Sequence, residues 1–373
     1  MTDPQTQPLD AGARRPDAPS VPIAAVILNW NNDHDTVECI RSLVEAAPTV
    51  ARAVVVDNGS REESVERVVR WAREQGVSCA VLPAGAPPSA GGEWLVVLRS
   101  ATNRGFSGGN NVGLAYARQD PAIAHFFLLN NDATVAPDYF ARLADALAAA
   151  PDASLLTGSI FYADPPTRVW YAGGRFIPLR ALTQHELVVP AGAGPYATQF
   201  VCGCTMLISR PALDALGPLP EVYFPAYCED AEYSLRARQR GMRVLYAPLA
   251  HAYHKIGATL GHSHGALMIV QRHRAYYVRR NLRGIERVAA LLYLVLTKPA
   301  RTLVDLLRGR PREAWATAWG TLTGLLARTG PRELAWERYA PDSEVARAAG
   351  RGSSEATEAR SASSSTKRHV TSA

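Results

Sequence analysis

The chain has 373 residues, 47% of them hydrophobic and 20% charged, with seven Trp and fourteen Tyr and a formal net charge of +6. That composition excludes a wholly disordered chain and leaves room for one enlarged α/β domain or two average ones. The positive charge is uneven: arginines crowd Arg272 to Arg312 among apolar residues while the preceding chain mixes both signs, which argues against a nucleic-acid groove and for a membrane-facing or lipid-phosphate-facing end.

Met1 to Ser20 is rich in Pro, Asp, Gln and Ala and lacks an apolar core, so it reads as a disordered lead-in and not as a signal peptide or anchor. Ile23 to Leu28 is a continuous apolar run, the pattern of a strand buried on both faces of a parallel sheet, and Asn29-Trp30-Asn31-Asn32 follows at once. A helix over Asp35 to Ala47 leads to a second buried strand, Ala53 to Val56, which ends in Asp57-Asn58-Gly59-Ser60. This βαβ unit carries polar residues at the carboxyl ends of its strands, where open α/β sheets bind ligands.

The helix Glu62 to Gln75 precedes a weaker strand, Cys79 to Leu82, an insertion loop from Pro83 to Gly92 and an extended stretch from Val96 to Arg99. Asn103 to Asn111 then reads as a glycine-rich turn opening a helix that runs to Arg118. The strand His125 to Leu129 ends in Asn130-Asn131-Asp132, so a third strand delivers polar side chains to the same edge. After a helix over Pro137 to Ala149 come shorter strands, at Leu155 to Ile160, Val169 to Phe176, Leu187 to Val189 and Val201 to Ser209, as in a mixed or antiparallel half.

Glu229 to Arg240 is a helix stopped by Gly241, followed by a strand from Arg243 to Ala247 and a loop from His251 to His264. Gly265 to Thr329 is mostly helical with interruptions at Gly284 and Pro299, and the tail from Glu344 is Ala/Ser/Arg-rich and reads as disordered. The longest apolar run, Val288 to Leu296, falls well short of the roughly 20 residues a spanning helix needs, which leaves an interfacial helix open. Five cysteines at irregular spacing, with Cys202 and Cys204 in a strand-like run and no second pair at zinc-finger spacing, read as buried free thiols in a reducing cytoplasm.

Several residues carry chemistry, each with a plainer alternative. Asp132 ends a buried strand, where a carboxylate can share a hard divalent cation with a diphosphate; Asn131-Asp132-Ala133-Thr134 is equally good turn chemistry. Asp57 offers a buried acceptor for a pyrimidine ring or ribose, or simply closes a turn. Gly105 to Asn111 is expected to leave backbone amides uncovered beside a helix N-terminus, favouring an anion or a closely packed ring. Glu229-Asp230 opens a helix, where carboxylates suit the macrodipole and where a general base can also sit beside a cleft. His251, His254, His262 and His264 cluster as surface or packing histidines, with His254-Lys255 the pair placed to touch metal or phosphate.

Taken in order, VILNWNN, VVVDNGS, NRGFSGGNNVG, LLNNDATV, the WYAGG at Trp170 to Gly174, CGCTMLISR, YCEDAEYSLRARQRG and APLAHAYHKIGAT resemble family 2 glycosyltransferases of the GT-A fold, in particular a rhamnosyltransferase-like branch, over residues 22–282. The resemblance implies an α/β fold: a Rossmann-like, mostly parallel sheet flanked by helices, with a mixed-sheet acceptor half and a C-terminal helical extension. It divides the chain into a lead-in (1–20), a GT-A domain (21–282, with a nucleotide-sugar half at 21–135 and an acceptor half at 136–264), a helical extension (283–343) and a tail (344–373).

It further implies that Asn29 and Asp57 contact the nucleoside, that Asn103, Gly108, Gly109 and Asn110 shape its pocket, and that Asn130-Asn131-Asp132 stands where the family has Asp-x-Asp. Asp132 would then be the principal carboxylate for Mg2+ or Mn2+, with His254 a second ligand, and Asp230 the base with Glu229 its neighbour. Cys204 and Thr205 would line the space between donor and acceptor. The implied reaction inverts the anomeric centre as a sugar, L-rhamnose or a similar hexose, passes from a dTDP- or UDP-linked donor to a hydroxyl of a glycan, lipid-linked or natural-product acceptor. The implied setting is the cytoplasm, with residues 285–312 available for peripheral association with the membrane face. Two other classes compete. An inactive binding protein of the same fold would not need Asp57, Asp132 and Asp230 together, and an NAD-dependent oxidoreductase would need a Gly-x-Gly-x-x-Gly after the first strand, where Asn29-Trp30-Asn31-Asn32 stands.

Overall fold

The computed structural model describes residues 22–46, 50–89, 91–255, 263–329 and 339. The expected lead-in at 1–20, the tail from 344 and His262 lie outside the described residues.

The first half is a parallel block: β1 (Ile23–Asn29), α1 (Asp33–Ala46), β2 (Val50–Asp57), α2 (Glu62–Glu74), β3 (Cys79–Pro83), β4 (Leu95–Arg99), α3 (Gly105–Arg118) and β5 (His125–Asn130). The strands lie in the order β5-β1-β2-β4-β3, all parallel. Apolar runs predict these strands because both faces are covered. Along β1, Ile23, Ala25 and Ile27 enter the core on one side of the sheet, while Ala24 and Val26 enter the core on the other.

The second half adds β6 (Ala133–Val135), α4 (Tyr139–Ala149), β7 (Ala153–Tyr162), β8 (Val169–Tyr171), β9 (Gly174–Ile177), β10 (Leu182–His185), β11 (Tyr196–Ala197), β12 (Thr205–Ser209), α5 (Arg210–Leu216), α6 (Glu229–Gln239) and β13 (Arg243–His254). Antiparallel β12 joins β5 to β7, β13 runs parallel to β7, and β6 pairs antiparallel with β13, so one mixed sheet continues from the parallel block. This is the α/β architecture expected of the GT-A fold. Three helices follow: α7 (His264–Asn281), α8 (Gly284–Leu307) and α9 (Pro311–Leu326). Alpha-carbon contact explains two glycines of α9: a Cβ on Gly320 or Gly324 would lie 2.4 or 2.2 Å from the carbonyl oxygens of Met268 or Arg272 on α7.

Five sequence expectations change. The interruption expected at Pro299 is absent, since α8 runs through it from Gly284 to Leu307. The glycine-rich segment is not a turn before α3 but its first turns, since the helix starts at Gly105. His251 and His254 belong to β13 and not to a loop, because that strand continues past a register shift between Ala247 and His251 to pair with β7 and β6. Gly203 and Cys204 form a turn ahead of β12. The expected strand at Leu187 to Val189 is replaced by the β9–β10 hairpin, whose second strand ends at His185. No helix among the described residues is long and apolar enough to cross a membrane.

Candidate active site

The carboxyl ends of β1, β2 and β5 meet at one edge, in register Asn29 to Asp57 and Leu28 to Asn130. Asn29 is fully engaged there: its amide donates to Ser64 Oγ at 3.1 Å, and its oxygen accepts from Thr36 Oγ1 at 2.9 Å and from the Asn32 amide at 3.3 Å. Asn131 donates to Thr36 Oγ1 at 3.0 Å and to the Asn32 carbonyl at 3.3 Å, tying the end of β5 to the start of α1. Asp57 accepts from the Ser60 amide at 3.1 Å and lies 3.9 Å from Arg99 Nε. Burial pushes its carboxyl above the ordinary range, opposed by the Ser60 hydrogen bonds and by Arg99. Arg99 itself forks onto Glu62 at 3.1 and 2.9 Å. Sequence reasoning passed over this arginine, although its place at the end of the extended run Val96 to Arg99 was the available signal.

Three amides at the N-terminus of α3 are already taken. Asn58 Oδ1 accepts from the Arg104 amide at 2.9 Å, Asn103 Oδ1 accepts from the Gly105 amide at 2.8 Å, and the Phe106 amide donates to the Pro225 carbonyl at 2.6 Å. Asn58 Nδ2 also donates to Asn103 Oδ1 at 3.0 Å, so the two asparagines lock the end of β2 to the start of α3. Gly109 lets α3 approach the sheet, since a Cβ there would lie 2.2 Å from Leu28 Cδ1. Gly108 faces Arg104 and Glu221 in the same way, and Asn110 turns its amide back onto the Phe106 carbonyl at 3.0 Å.

Asp132 and His254 come together through strand pairing. His254 is opposite Ala133 across β13 and β6, which sets its Nε2 3.0 Å from Asp132 Oδ1, both side chains buried. The other ring nitrogen, Nδ1, is buried without a hydrogen-bond partner. Trp170 packs edge-on against His254 with ring centroids 4.9 Å apart, and against His185 at 4.7 Å. His185 Nδ1 bonds the Trp170 carbonyl at 3.0 Å. Burial holds the His185 pKa below its ordinary value, while the Trp170 carbonyl and then Asp230 oppose that. Neither Trp170, although it opens the WYAGG motif, nor His185 was assigned a role from sequence, because the two rings meet only through the packing of β8 against the β9–β10 hairpin.

Glu229 and Asp230 begin α6, preceded by Tyr227 and Cys228 at φ +82° and +78°, left-handed conformations that cost energy in residues with a side chain. The two carboxyls are unlike. Asp230 Oδ2 accepts from the Gly203 amide at 3.1 Å and Oδ1 from the Ala231 amide at 2.7 Å. Glu229 is 5% exposed and its Oε2 has no hydrogen-bond partner. Burial pushes Glu229 well above the ordinary carboxylate range, with Asp230 adding to the rise. Burial also raises Asp230, against which the Gly203 and Ala231 amides act. A proton shared between neighbours therefore belongs on Glu229, leaving Asp230 the ionised member.

Asp230 of α6 and the Asp132–His254 pair are bridged by one short segment: Gly203 donates to Asp230, and the Cys204 carbonyl accepts from the Asn130 amide at 3.0 Å, two residues before Asp132. Cys204 and Thr205, expected to line the gap, are buried instead, with the Thr205 hydroxyl 2.9 Å from that of Thr157. His251 and His264 lie outside this cluster: His251 packs on Phe161, and His264 is 3.5 Å from Glu313.

Comparisons with known proteins bear on the family and the fold. The profile "Glycosyl transferase family 2" matches residues 24–217, and "Glycosyl transferase family group 2" matches residues 125–327. A protein of Sinorhizobium fredii named "Uncharacterized protein y4gI" is 28% identical over 176 residues, covering 44% of this chain and 18% of that protein. Among solved structures, GalNAc-T7 with UDP, GalNAc and Mn2+ superposes at a TM-score of 0.53 with 15% identity, over 71% of this chain and 48% of that one. A mannosyltransferase of Pyrobaculum calidifontis in complex with GDP-Man and Mn2+ superposes at 0.49 with 14% identity, over 86% and 91% of the two chains. The chain thus spans about half of GalNAc-T7 and under a fifth of the Sinorhizobium protein.

Proposed function

This chain belongs to glycosyl transferase family 2, and from that premise we propose that it transfers a sugar from a nucleoside-diphosphate donor to an acceptor hydroxyl with inversion at the anomeric carbon. The observation that carries the reading is the pair of unlike centres at one sheet edge, Asp132 with His254 and, across Gly203-Cys204, the amide-held Asp230.

Asp132 and His254 suit a divalent cation: a carboxylate oxygen and an imidazole nitrogen converge in a buried spot, and diphosphate oxygens would complete the set. A mixed nitrogen and oxygen donor set favours Mn2+ over Mg2+, which prefers oxygen and water. Mn2+ is named with the structurally similar GalNAc-T7, solved with UDP and GalNAc. Such an ion supplies charge stabilisation to the departing nucleoside diphosphate. Asp57 and Arg99 at the end of β2, with Asn29 and Asn103 fixing the backbone around them, form the nucleoside side of the site in this reading, and Gly108, Gly109 and Asn110 hold α3 close beneath it. Asp230 accepts the proton of the acceptor hydroxyl as that oxygen attacks, and Glu229, neutral beside it, adds no second negative charge. The rhamnosyltransferase-like motifs make a dTDP- or UDP-hexose the proposed donor and residues 136–264 the acceptor side.

The test is incubation of the full chain with a panel of UDP-, dTDP- and GDP-sugars and Mn2+, reading nucleoside diphosphate release and the anomeric configuration of any product. Release confined to one nucleotide class, with an inverted product, is the expected result. Nucleotide-sugar binding without release from any donor would reassign the chain as an inactive binder of this fold, and a retained configuration would remove the single displacement.

A further inference from the structure

The helices α8 and α9 carry apolar residues on the wrong side for packing. Along α8, Ala290, Leu294 and Asp305 turn inward and are buried. On the opposite face Ile285, Val288, Leu292, Leu296, Leu303 and Leu307 recur at helical spacing and stand exposed, Ile285, Leu296 and Leu307 by 80%, 71% and 79%. From Ile285 to Leu307 the stripe runs about 33 Å at 1.5 Å per residue. α9 repeats the pattern with Trp315, Trp319, Leu322 and Leu326 exposed while its small residues pack on α7, and the two indoles stack with centroids 6.3 Å apart. Monomeric soluble proteins rarely leave a contiguous apolar surface of this length uncovered.

Charge selects the occupant. Between residues 283 and 312 there are seven Lys or Arg against two acids, and one of those acids, Asp305, is buried and bonded to Arg301 at 2.7 Å. The bases run the length of the stripe and crowd its ends: Arg283 before it, Arg287 near its start, Lys298 and Arg301 along it, and Arg308, Arg310 and Arg312 after it, every arginine exposed. A second copy of this chain laid on the stripe, parallel or antiparallel, would set arginines against arginines. An anionic lipid surface meets both features, taking the apolar face at the acyl boundary and the arginines among its headgroups, with Trp residues at the depth they favour. We propose that α8 and the outer face of α9 lie flat on an anionic membrane surface and dock the enzyme there without crossing it.

The experiment is co-sedimentation of the full chain with vesicles of phosphatidylcholine alone and of equal parts phosphatidylcholine and phosphatidylglycerol. The expected result is partition onto the anionic vesicles with a blue shift of Trp emission, weakened at high salt as the Debye length shrinks. Leu296→Ser with Leu303→Ser and Leu307→Ser should lower the partition at least about tenfold, because each removes apolar area from the interface. Arg308→Gln with Arg310→Gln and Arg312→Gln should remove the preference for anionic lipid. Both triple variants alter exposed positions, and unchanged circular dichroism and nucleotide binding certify their fold. A full chain that stays in the supernatant with anionic vesicles overturns the proposal, as does equal partition of the serine variant. A serine variant that only converts a dimer to a monomer would assign the face to a second copy instead.

Discussion

Replacing Arg280 by Met tests how the C-terminal helices support the candidate base. Glu232, one turn beyond Glu229 on α6, is 0% exposed, and its two oxygens receive Arg280 Nε at 3.0 and 2.9 Å, the Tyr223 hydroxyl at 2.6 Å and Asn281 Nδ2 at 2.9 Å. Arg280 and Asn281 lie on α7, so one buried carboxylate fastens that helix to the element bearing Glu229 and Asp230. Removing the cation strands a buried charge, which costs about 3–5 kcal/mol. Replacing both partners, as Glu232→Leu with Arg280→Met, removes the stranded charge. It leaves the Tyr223 hydroxyl without its acceptor, at about 1–3 kcal/mol for an unsatisfied group, while Asn281 Nδ2 keeps the Tyr223 oxygen at 3.1 Å. In urea titrations the single variant should therefore lose several kcal/mol, and the double-mutant cycle should show coupling of at least about 2 kcal/mol. Arg280→Met within about 1 kcal/mol of the parent, or strictly additive substitutions, would refute the claim that this pair holds α7 to α6.

Three further outcomes follow from the same structure. Asp230→Asn should retain nucleotide binding and lose turnover by about 10²-fold or more, since an amide takes no proton; near-normal turnover in a donor assay would remove Asp230 from the base role. Gly113→Ala should cost about 1–3 kcal/mol by thermal melting, because its Cβ would sit 2.4 Å from Val26 Cγ1 and 3.0 Å from Val56 Cγ2, so α3 must move. An unchanged melting temperature would contradict that packing. His273 is buried with Nδ1 2.9 Å from the Ala226 carbonyl, and burial holds its pKa down to about 4. The unfolded chain takes up this proton near the ordinary 6.5, so the stability His273 contributes is present above that pH and is lost as pH falls towards 4, by at most about 3 kcal/mol. Relative to the parent, His273→Gln should lose less stability on acidification between those limits; parallel pH profiles would count against the assignment.

How much of this was legible in the sequence depended on how local each cause is. β1, β2 and β5 announce themselves because a strand covered on both faces must be apolar throughout, and Asp57 and Asp132 follow from where those runs stop. The glycines of the segment that opens α3 were visible but misplaced: Gly109 and Gly113 relieve contact between α3 and the Leu28 and Val26 side chains, which a loop reading cannot anticipate. The expectation of open amides failed at Arg104 and Gly105 for a related reason, since Asn58 and Asn103 reach α3 only once β2 and α3 are adjacent. His254 meets Asp132 across 122 residues through the pairing of β13 with β6, so its neighbour was suggested by family resemblance and not by spacing. The tie between Glu232 and Arg280, and the orientation of the apolar stripe on α8, belong to packing alone.

Asp132, with His254, is proposed to make nucleoside-diphosphate binding depend on a metal. Calorimetric titration of UDP and dTDP into the full chain, in Mn2+ and in EDTA, with the parent and with Asp132→Ala, tests it directly. One of the two nucleotides should bind the parent at least about tenfold more tightly with Mn2+, and Asp132→Ala should lose this difference while melting as the parent does. Equal affinity with and without metal in the parent, or a metal effect that survives Asp132→Ala, would contradict it.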